Sequence, residues 1–482
     1  MKIAIVHYHL QPGGVTRVIE NTLQAWEENG QTVEAVALSG RPYPGDQLTN
    51  TQVVDGLDYA TPSEAINPQI LANRLLEAAK SGLGKRPDIW HIHNHSLGKN
   101  PSLTEAVAIL AESGESMLLH PHDFAEDGRP GNYRSLQEVY PRAYPTGKNI
   151  HYAALNQRDR GFLSRMLDGS LSPVHLLANA VPPSPTFSKS EEGKSNKELP
   201  ENLFLYPVRA VRRKNLGELA LLATAHPDFY FANSLGPTNP LFTPQFEEWK
   251  SFAQSLQLSV TYGLAETTHA SFPEMVSHAQ SILSVSVAEG FGLGFLEPWT
   301  FGKGLCGRNL PEITSDFSQL GVSLDNLYNF LPVPLNCIPS IQGLKETIGQ
   351  ALRKFYQSYN QSLPEDACHQ AYYSMLQDQA IDFGRLDEPN QQAIIRTLST
   401  SHDLQKTIRN HCGLAVLDNG MIDENCQAVA KQFSLASYAD RIISIYQSLL
   451  NQGSTSNCEF ANGQILLDQY LSPARLNLLR TS

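Results

Sequence analysis

The sequence predicts an α/β protein of two successive doubly wound, Rossmann-like domains, with extra helices towards the C-terminal end. Three observations lead there. A length of 482 residues exceeds what one core ordinarily holds. Short apolar runs alternate with helix-period patterns over the first 180 residues, as in a parallel sheet covered on both faces. After a break rich in proline and serine, the same alternation starts again.

Residues 3–6 are continuously apolar and read as a first strand. Residues 15–28 place Val18, Ile19, Leu23 and Trp26 on one side of a helix. Strands are expected at 33–38, 89–93, 117–120 and 151–155, helices at 67–79 and 103–112, and a closing strand at 175–178. Pro182-Pro183-Ser184-Pro185 opens a stretch rich in Lys, Glu and Ser with no apolar period, so 182–200 reads as a linker. Strands then follow at 203–207, 229–233, 259–262 and 282–285, with helices at 216–225, 273–279 and 293–301. From 316 the chain offers helical patterns at 344–359, 365–377, 391–397 and 402–409. Residues 436–450 form an amphipathic helix with Tyr438, Ile442, Ile445 and Leu449 on one stripe. Residues 453–457 break it, and the tail to 482 carries no readable chemistry. The expected divisions are a first domain over 1–181, the linker 182–200, a second domain over 201–433 with a helical insertion at 316–430, a helix at 434–452 and a tail at 453–482.

Composition excludes several classes. Thirty-six basic against 48 acidic residues give a formal charge of −12, which disfavours a generally basic nucleic-acid binder or a strongly membrane-bound protein. No apolar run reaches the roughly 18 residues of a membrane span. The apolar start is too short for a signal peptide. The cysteines at 306, 337, 368, 412, 426 and 458 include no CxxC pair, so reduced thiols and a cytoplasmic location are expected.

Two glycine-bearing loops join a strand to a helix. In His9-Leu10-Gln11-Pro12-Gly13-Gly14-Val15-Thr16-Arg17, Gly13 and Gly14 allow close approach of a ligand, and the helix start offers N–H groups to an anion. The alternative is a tight turn that simply needs glycine. No GxGxxG is present, so this is not a dinucleotide fingerprint. The second loop is Ser286-Val287-Ala288-Glu289-Gly290-Phe291-Gly292-Leu293-Gly294-Phe295-Leu296-Glu297. A helix is expected from Leu293, which puts Glu297 about one and a half turns into it. Glycines and a helix N-terminus favour a phosphate-bearing ligand, and carboxylates beside it suit the hydroxyls of a sugar or ribose.

This stretch resembles the signature of the family-4-type retaining glycosyltransferases of the GT-B fold: two glutamates separated by seven residues in a Ser-x-x-Glu-Gly-Phe-Gly context. Val285 replaces the family's usual Pro, and Pro298 its usual Ala, and neither removes a reactive side chain. The Gly13-Gly14 loop, Asn179-Ala180-Val181-Pro182 and the helix at Ser437–Tyr446 match further landmarks, and the resemblance implies that this late helix, 434–452, returns to the N-terminal domain. Arg209-Ala210-Val211-Arg212-Arg213-Lys214-Asn215 resembles the Arg…Lys element, in the form found in the sucrose-phosphate-synthase-like branch. The likeness covers residues 1–313 and 434–451.

The resemblance implies two Rossmann-like domains facing a cleft. It also implies transfer of a sugar from a nucleotide-diphosphate sugar to an acceptor hydroxyl with retained anomeric configuration. Arg209 and Lys214, helped by the amides of Gly13 and Gly14, would stabilise the departing diphosphate. Glu289, with Gly290, Phe291, Gly292 and Leu293 of its loop, would contact the donor sugar, and Glu297 the ribose. Glu289 is not expected to act as a nucleophile; the family pattern is a front-face substitution in which the leaving phosphate helps deprotonate the acceptor. The chain has no Asp-x-Asp, which fits a metal-independent enzyme without a cofactor.

Nine of the 15 histidines precede residue 181. His91, His93 and His95 alternate and would share one face of a strand, and His120 and His122 alternate likewise, followed by Asp123. Both groups end predicted strands, where open α/β sheets bind ligands. The family match puts His93, Asn94 and His95 along the cleft and His122 with Asp123 near the donor's anomeric centre. His91 and His120 read as hydrogen-bonded core residues. Arg129, Arg134, Arg158 and Arg160 are candidates for an acidic group on a soluble small acceptor, Arg158 foremost. Competing readings are a GT-B phosphorylase or reversible disaccharide synthase, a His-cluster metallohydrolase and a non-catalytic sugar-binding protein.

Overall fold

The computed structural model describes residues 1–183, 199–415, 417–453 and 457–481. Most of the expected linker, 184–198, therefore lies outside the described residues, as do 454–456 of the expected break. The chain forms two compact units. Unit 1 comprises Met1–Pro182 and Lys431–Ser472, and unit 2 comprises Pro183–Ala430 and Pro473–Ser482.

Unit 1 begins β1 (Lys2–Val6), α1 (Gly14–Glu28), β2 (Glu34–Ser39), β3 (Thr51–Val53), α2 (Pro68–Leu83), β4 (Ile89–His93), α3 (Pro101–Glu112) and β5 (Met117–His120). There follow α4 (Pro130–Leu136), β6 (Pro145–Thr146), β7 (Ile150–Ala154), α5 (Gln157–Met166) and β8 (Val174–Leu176). Seven strands pair in the order β3-β2-β1-β4-β5-β7-β8, and every pairing is parallel. Helix α2 shows why its bounds outrun the expected 67–79. Asn67 caps it by accepting from the Gln69 and Ile70 amides, Pro68 suits the first turn, and Leu83 is still buried before Gly84 ends it at φ 70°. Alternate residues of the strands face two cores. Val6, Trp90, Ile92 and Leu119 pack with α2 and α3, while Ile3, Ile5, Ile89 and Leu118 face the other side with α1.

Unit 2 repeats the plan with β9 (Leu203–Arg209), α6 (Leu216–Ala225), β10 (Tyr230–Leu235), α7 (Thr243–Ser255), β11 (Val260–Tyr262), α8 (Leu264–Thr268), α9 (Phe272–His278), β12 (Ser281–Ser284), α10 (Glu297–Thr300), β13 (Leu305–Gly307) and α11 (Pro311–Gln319). Its sheet runs β11-β10-β9-β12-β13, again parallel. Every residue of α6 is buried, the carboxylate of Glu218 included. Residues 316–430 hold β14 (Pro332–Pro334), α12 (Ile341–Ser358), α13 (Ala367–Ser374), β15 (Leu376–Gln377), β16 (Ala380–Asp382), α14 (Glu388–Ser399), α15 (His402–Cys412) and α16 (Asn419–Gln432), with a small antiparallel sheet β14-β16-β15.

The chain then returns to unit 1. Helix α17 (Leu435–Asn451), capped by Ser434, lays Tyr438, Ile442, Tyr446 and Leu449 on the α1 face of the sheet. The expected tail is structured. β17 (Glu459–Phe460) pairs with β6, and α18 (Gln464–Leu471) buries Leu466 and Tyr470 in unit 1, whereas α19 (Leu478–Thr481) belongs to unit 2. Sequence periodicity missed α4, α5, α7, α8, α11, α16 and α18; α18 is short, and its apolar residues pack in unit 1 far from it along the chain.

Candidate functional site

In unit 2, β9 ends at Arg209, an exposed residue whose guanidinium donates to the Gly236 carbonyl at 3.3 Å. A 3-10 turn over Arg212–Lys214 follows, and Asn215 closes it in the left-handed region at φ 51°, a conformation asparagine tolerates. The turn delivers Lys214 Nζ onto Glu289 Oε1, and Arg213 reaches Glu289 Oε2 at 3.3 Å. Ser286, fully buried at the end of the β12 run, donates to Glu289 Oε1 at 2.5 Å. Since Ser286 has one proton to give, the Tyr206 hydroxyl 2.5 Å away must be the donor to it. Burial by itself raises the Glu289 carboxyl, but Lys214, Arg213 and the Ser286 bond outweigh it and hold it below the ordinary value. Burial lowers Lys214, with Arg213 adding to the effect and Glu289 opposing it.

The loop after Glu289 departs from the expected helix. Gly292 takes φ 90°, Leu293–Phe295 form a 3-10 turn, and α10 opens only at Glu297, which is exposed. A helix running on from Leu293 would place Pro298 in its interior, where it lacks an N–H and clashes with the preceding turn; in α10 it sits in the first turn. Glu297 therefore stands at a helix start and not one and a half turns inside. A side chain at Gly292 would also press on Ile313, 3.0 Å from the Cβ position. Phe291 is buried edge-on against Phe317, anchoring the loop, while Leu293 is exposed.

In unit 1, Gly13 is extended at φ 176°, a conformation open to any residue, and nothing lies within 4 Å of a Cβ placed on Gly14. The turn does not need these glycines, which removes the purely conformational alternative. They leave the uncapped N-terminus of α1 bare.

The histidines form a buried layer on the α17 face of the sheet. His91 Nε2 meets His120 Nδ1 at 3.1 Å, Tyr446 OH meets His91 Nδ1 at 2.8 Å, and His93 Nδ1 meets His122 Nε2 at 2.8 Å. His7 lies edge-on to His93 with ring centroids 6.3 Å apart. Burial, reinforced by neighbouring imidazoles, pushes His7 and His91 down to about 3, burial alone takes His122 to about 3, and both causes hold His93 and His120 well below the usual value. The layer is neutral at pH 7. Ring nitrogens of His91, His93 and His120 lie within 4.8 Å of one another, the only such donor group among the described residues. Both His91 ring nitrogens are hydrogen-bonded, one to His120 and one to Tyr446, so one of these bonds would have to break for a cation to bind there, whereas His120 Nε2 has no partner.

Several expected positions are corrected. β4 ends at His93, and Asn94 turns into the left-handed region at φ 56°. That one residue reverses the alternation, so His95 leaves the face shared by His91 and His93, bonds the Ala143 carbonyl at 3.0 Å and packs near Tyr144 and Tyr152 in the opposite core. Asn94 is buried as well. Its Oδ1 accepts from the His122 and Asp123 amides at 2.7 and 3.1 Å, so it shapes the loop after β5. His93 is buried against His122. Of the residues expected against an acceptor, Asp123 alone stands otherwise, and Arg158 is buried too. Asp123 is partly exposed and pairs with Arg129 at 2.5 Å. The Arg158 Nε donates to Asp159 Oδ1 at 2.8 Å, the Tyr470 hydroxyl donates to the same oxygen at 3.1 Å, and the Arg158 side chain is 8% exposed.

Motif reading also missed a buried polar group behind the Lys214 turn. The Arg308 guanidinium holds Glu218 and Asp382 at 2.7 and 2.9 Å, and Tyr328 OH donates to Glu218 at 2.7 Å. No spacing signals a contact between residues 74 and 90 positions apart.

No protein-family model matches the chain. In sequence it is 26% identical, over 340 residues covering 66% of each chain, to mannosylglucosyl-3-phosphoglycerate synthase of Petrotoga mobilis. In structure it is similar to sucrose-phosphate synthase of Thermosynechococcus elongatus, with TM-score 0.50, 12% identity, and 93% of this chain and 99% of that one covered. It is similar too to the pneumococcal O-GlcNAc transferase GtfA, solved in complex with UDP and GlcNAc, with TM-score 0.51, 10% identity, and 93% and 99% covered. Two parallel-sheet units with a late helix returning to the first, and these likenesses, make the chain a protein of the GT-B glycosyltransferase fold.

Proposed function

We propose that the chain is a retaining, metal-independent glycosyltransferase. It moves a sugar from a nucleotide-diphosphate sugar to a hydroxyl of a small acceptor carrying an acidic group. The observation that carries this reading is the Lys214–Glu289–Ser286 constellation at the carboxyl edge of the unit 2 sheet. Negative charge grows on the diphosphate as the glycosidic bond breaks, so fixed cations at Arg209 and Lys214 favour the transition state over the bound donor. Glu289, kept ionised by its neighbours, accepts from sugar hydroxyls and counters positive charge on the ring. Gly290, Phe291, Gly292 and Leu293 border the sugar, and Glu297 takes the ribose hydroxyls. The α1 N-terminus at Gly13 and Gly14 adds amides for a phosphate. His122, neutral and fixed by His93 and Asn94, offers an uncharged hydrogen-bonding group to the transferred sugar.

Acceptor handling falls to unit 1. The Petrotoga relative is named as a synthase of mannosylglucosyl-3-phosphoglycerate, a sugar bearing acidic groups. The partly exposed Arg129 on the loop after β5 supports an acidic acceptor here, whereas Arg158, the residue foremost in the sequence, is buried against Asp159. The test incubates the protein with UDP-, GDP- and ADP-sugars and a panel of neutral and acidic acceptors, with and without EDTA. The expected result is acceptor-dependent release of nucleoside diphosphate, an unchanged anomeric configuration by NMR and no effect of EDTA. An inverted product refutes retention, loss with EDTA refutes metal independence, and equal use of neutral acceptors refutes the acidic acceptor.

A further inference from the structure

Lys214 stands on a turn whose exit is held from behind by residues of the 316–430 addition. Asn215, buried and left-handed, has both ends of its amide engaged. Its Nδ2 donates to Glu218 Oε2 at 2.7 Å, and its Oδ1 accepts from Gln391 Nε2 of α14 at 2.9 Å. The same Gln391 nitrogen donates to the Phe383 carbonyl at 3.2 Å. Glu218 is gripped by Arg308, which grips Asp382 in turn, and Asp382 Oδ1 accepts from the Leu331 and Gly384 amides. A Cβ on Gly384 would lie 2.5 Å from Arg308 Cζ, so that glycine is what lets the fork seat. Glu218 and Gln391 are fully buried, and Arg308 is 3% exposed.

A solvated surface turn needs none of this. Burying a guanidinium, two carboxylates and two amides is costly unless they are paired, and here the partners come from the turn (Asn215), from α6 (Glu218), from Arg308 after β13 and from the addition (Asp382 and Gln391), with Gln391 Oε1 alone among them left without a hydrogen bond. The αL state of Asn215 also costs energy that its two amide bonds offset.

We propose that Gln391, with the Arg308–Asp382 fork behind Glu218, is a positioning residue for Lys214, so that the helical addition sets the donor-phosphate geometry of unit 2. This rests on the reading of Lys214 as a contact to the donor's diphosphate. Removing the Gln391 donor leaves Asn215 Oδ1 buried without a partner and frees the turn to shift, and small displacements of a charged contact are felt strongly.

The test compares wild type with Gln391→Leu, Gln391→Asn and, as a packing control in the same helix, Ile394→Ala. UDP, GDP and ADP are titrated calorimetrically, and melting temperature is recorded for each protein. Wild type is expected to bind one of the three. Gln391→Leu should bind it about tenfold more weakly, with the donor KM rising in step. Gln391→Asn keeps the amide but not its reach, and should fall between. Ile394→Ala should lower the melting temperature and leave nucleotide affinity unchanged. Unchanged affinity in both Gln391 variants, with wild type binding, overturns the positioning role and leaves the functional reading standing. An equal loss in Ile394→Ala also overturns it, since general loosening then suffices. Absence of binding by wild type overturns both.

Discussion

The histidine layer of unit 1 makes stability depend on mild acid. Five imidazoles, His7, His91, His93, His120 and His122, are buried, and burial holds all of them far below the unfolded value of 6.5. A histidine whose folded pKa is depressed contributes nothing unfavourable above pH 6.5. It destabilises as pH falls from there towards the folded value, about 3 for His7, His91 and His122. At pH 5.5 the unfolded chain gains about 1.4 kcal/mol per imidazole by protonation, a gain the folded layer does not share. Five groups give about 7 kcal/mol, comparable to a whole domain's stability of about 5–15 kcal/mol. Glu126, a buried carboxyl that burial pushes up, works in the opposite sense but is one group. The assay is urea unfolding at pH 7.5, 6.5 and 5.5, read by a deuterium pulse at one fixed pH over peptides covering β4 and β5. The midpoint should fall steeply between pH 6.5 and 5.5, with His95 and His151, both held at about 4 by burial, adding to the fall, and His120→Asn should remove about 1 kcal/mol of that dependence. A midpoint unchanged between pH 7.5 and 5.5 refutes the neutral, buried layer.

Four further outcomes follow from the geometry. Lys214→Ala and Glu289→Gln should each lower kcat/KM for a nucleotide sugar about a hundred- to thousandfold, measured by diphosphate release, because each removes a charge fixed where charge develops. Arg308→Met leaves Glu218 and Asp382 buried without their cation and should cost unit 2 about 3–5 kcal/mol in urea unfolding, whereas a surface pair such as Lys250–Glu247 should cost little. Gly14→Ala should leave the melting temperature unchanged while weakening nucleotide-sugar binding, since open space surrounds that Cβ position. Gly292→Ala, at φ 90° and against Ile313, should destabilise by about 1–2 kcal/mol, and equal melting temperatures for the two would contradict the loop geometry.

The alternation of strands and helices, the two-sheet plan and the late amphipathic helix were legible from residue spacing, because periodicity is a local property of the chain, whereas the return of that helix to the first domain was only implied by the family resemblance. The glycine loops and the Glu289 motif were legible for the same reason: a strand, a glycine turn and a helix start are contiguous. Where local rules met a single exceptional residue, they failed. Asn94 in the left-handed region sends His95 into the opposite core, and Gly292 with Pro298 delays the helix so that Glu297 stands at its start. The role of 316–430 was not legible at all. Asp382 and Gln391 reach Arg308 and Asn215 across 74 and 176 positions, distances over which no repeat or spacing carries information. By itself, then, the sequence determined the layers of the fold and the side chains that name its chemistry. Only the tertiary structure decided which of them are exposed, which are buried as supports and what the Lys214 turn packs against, because those are settled by where distant segments pack and by the cost of burying a polar group without a partner.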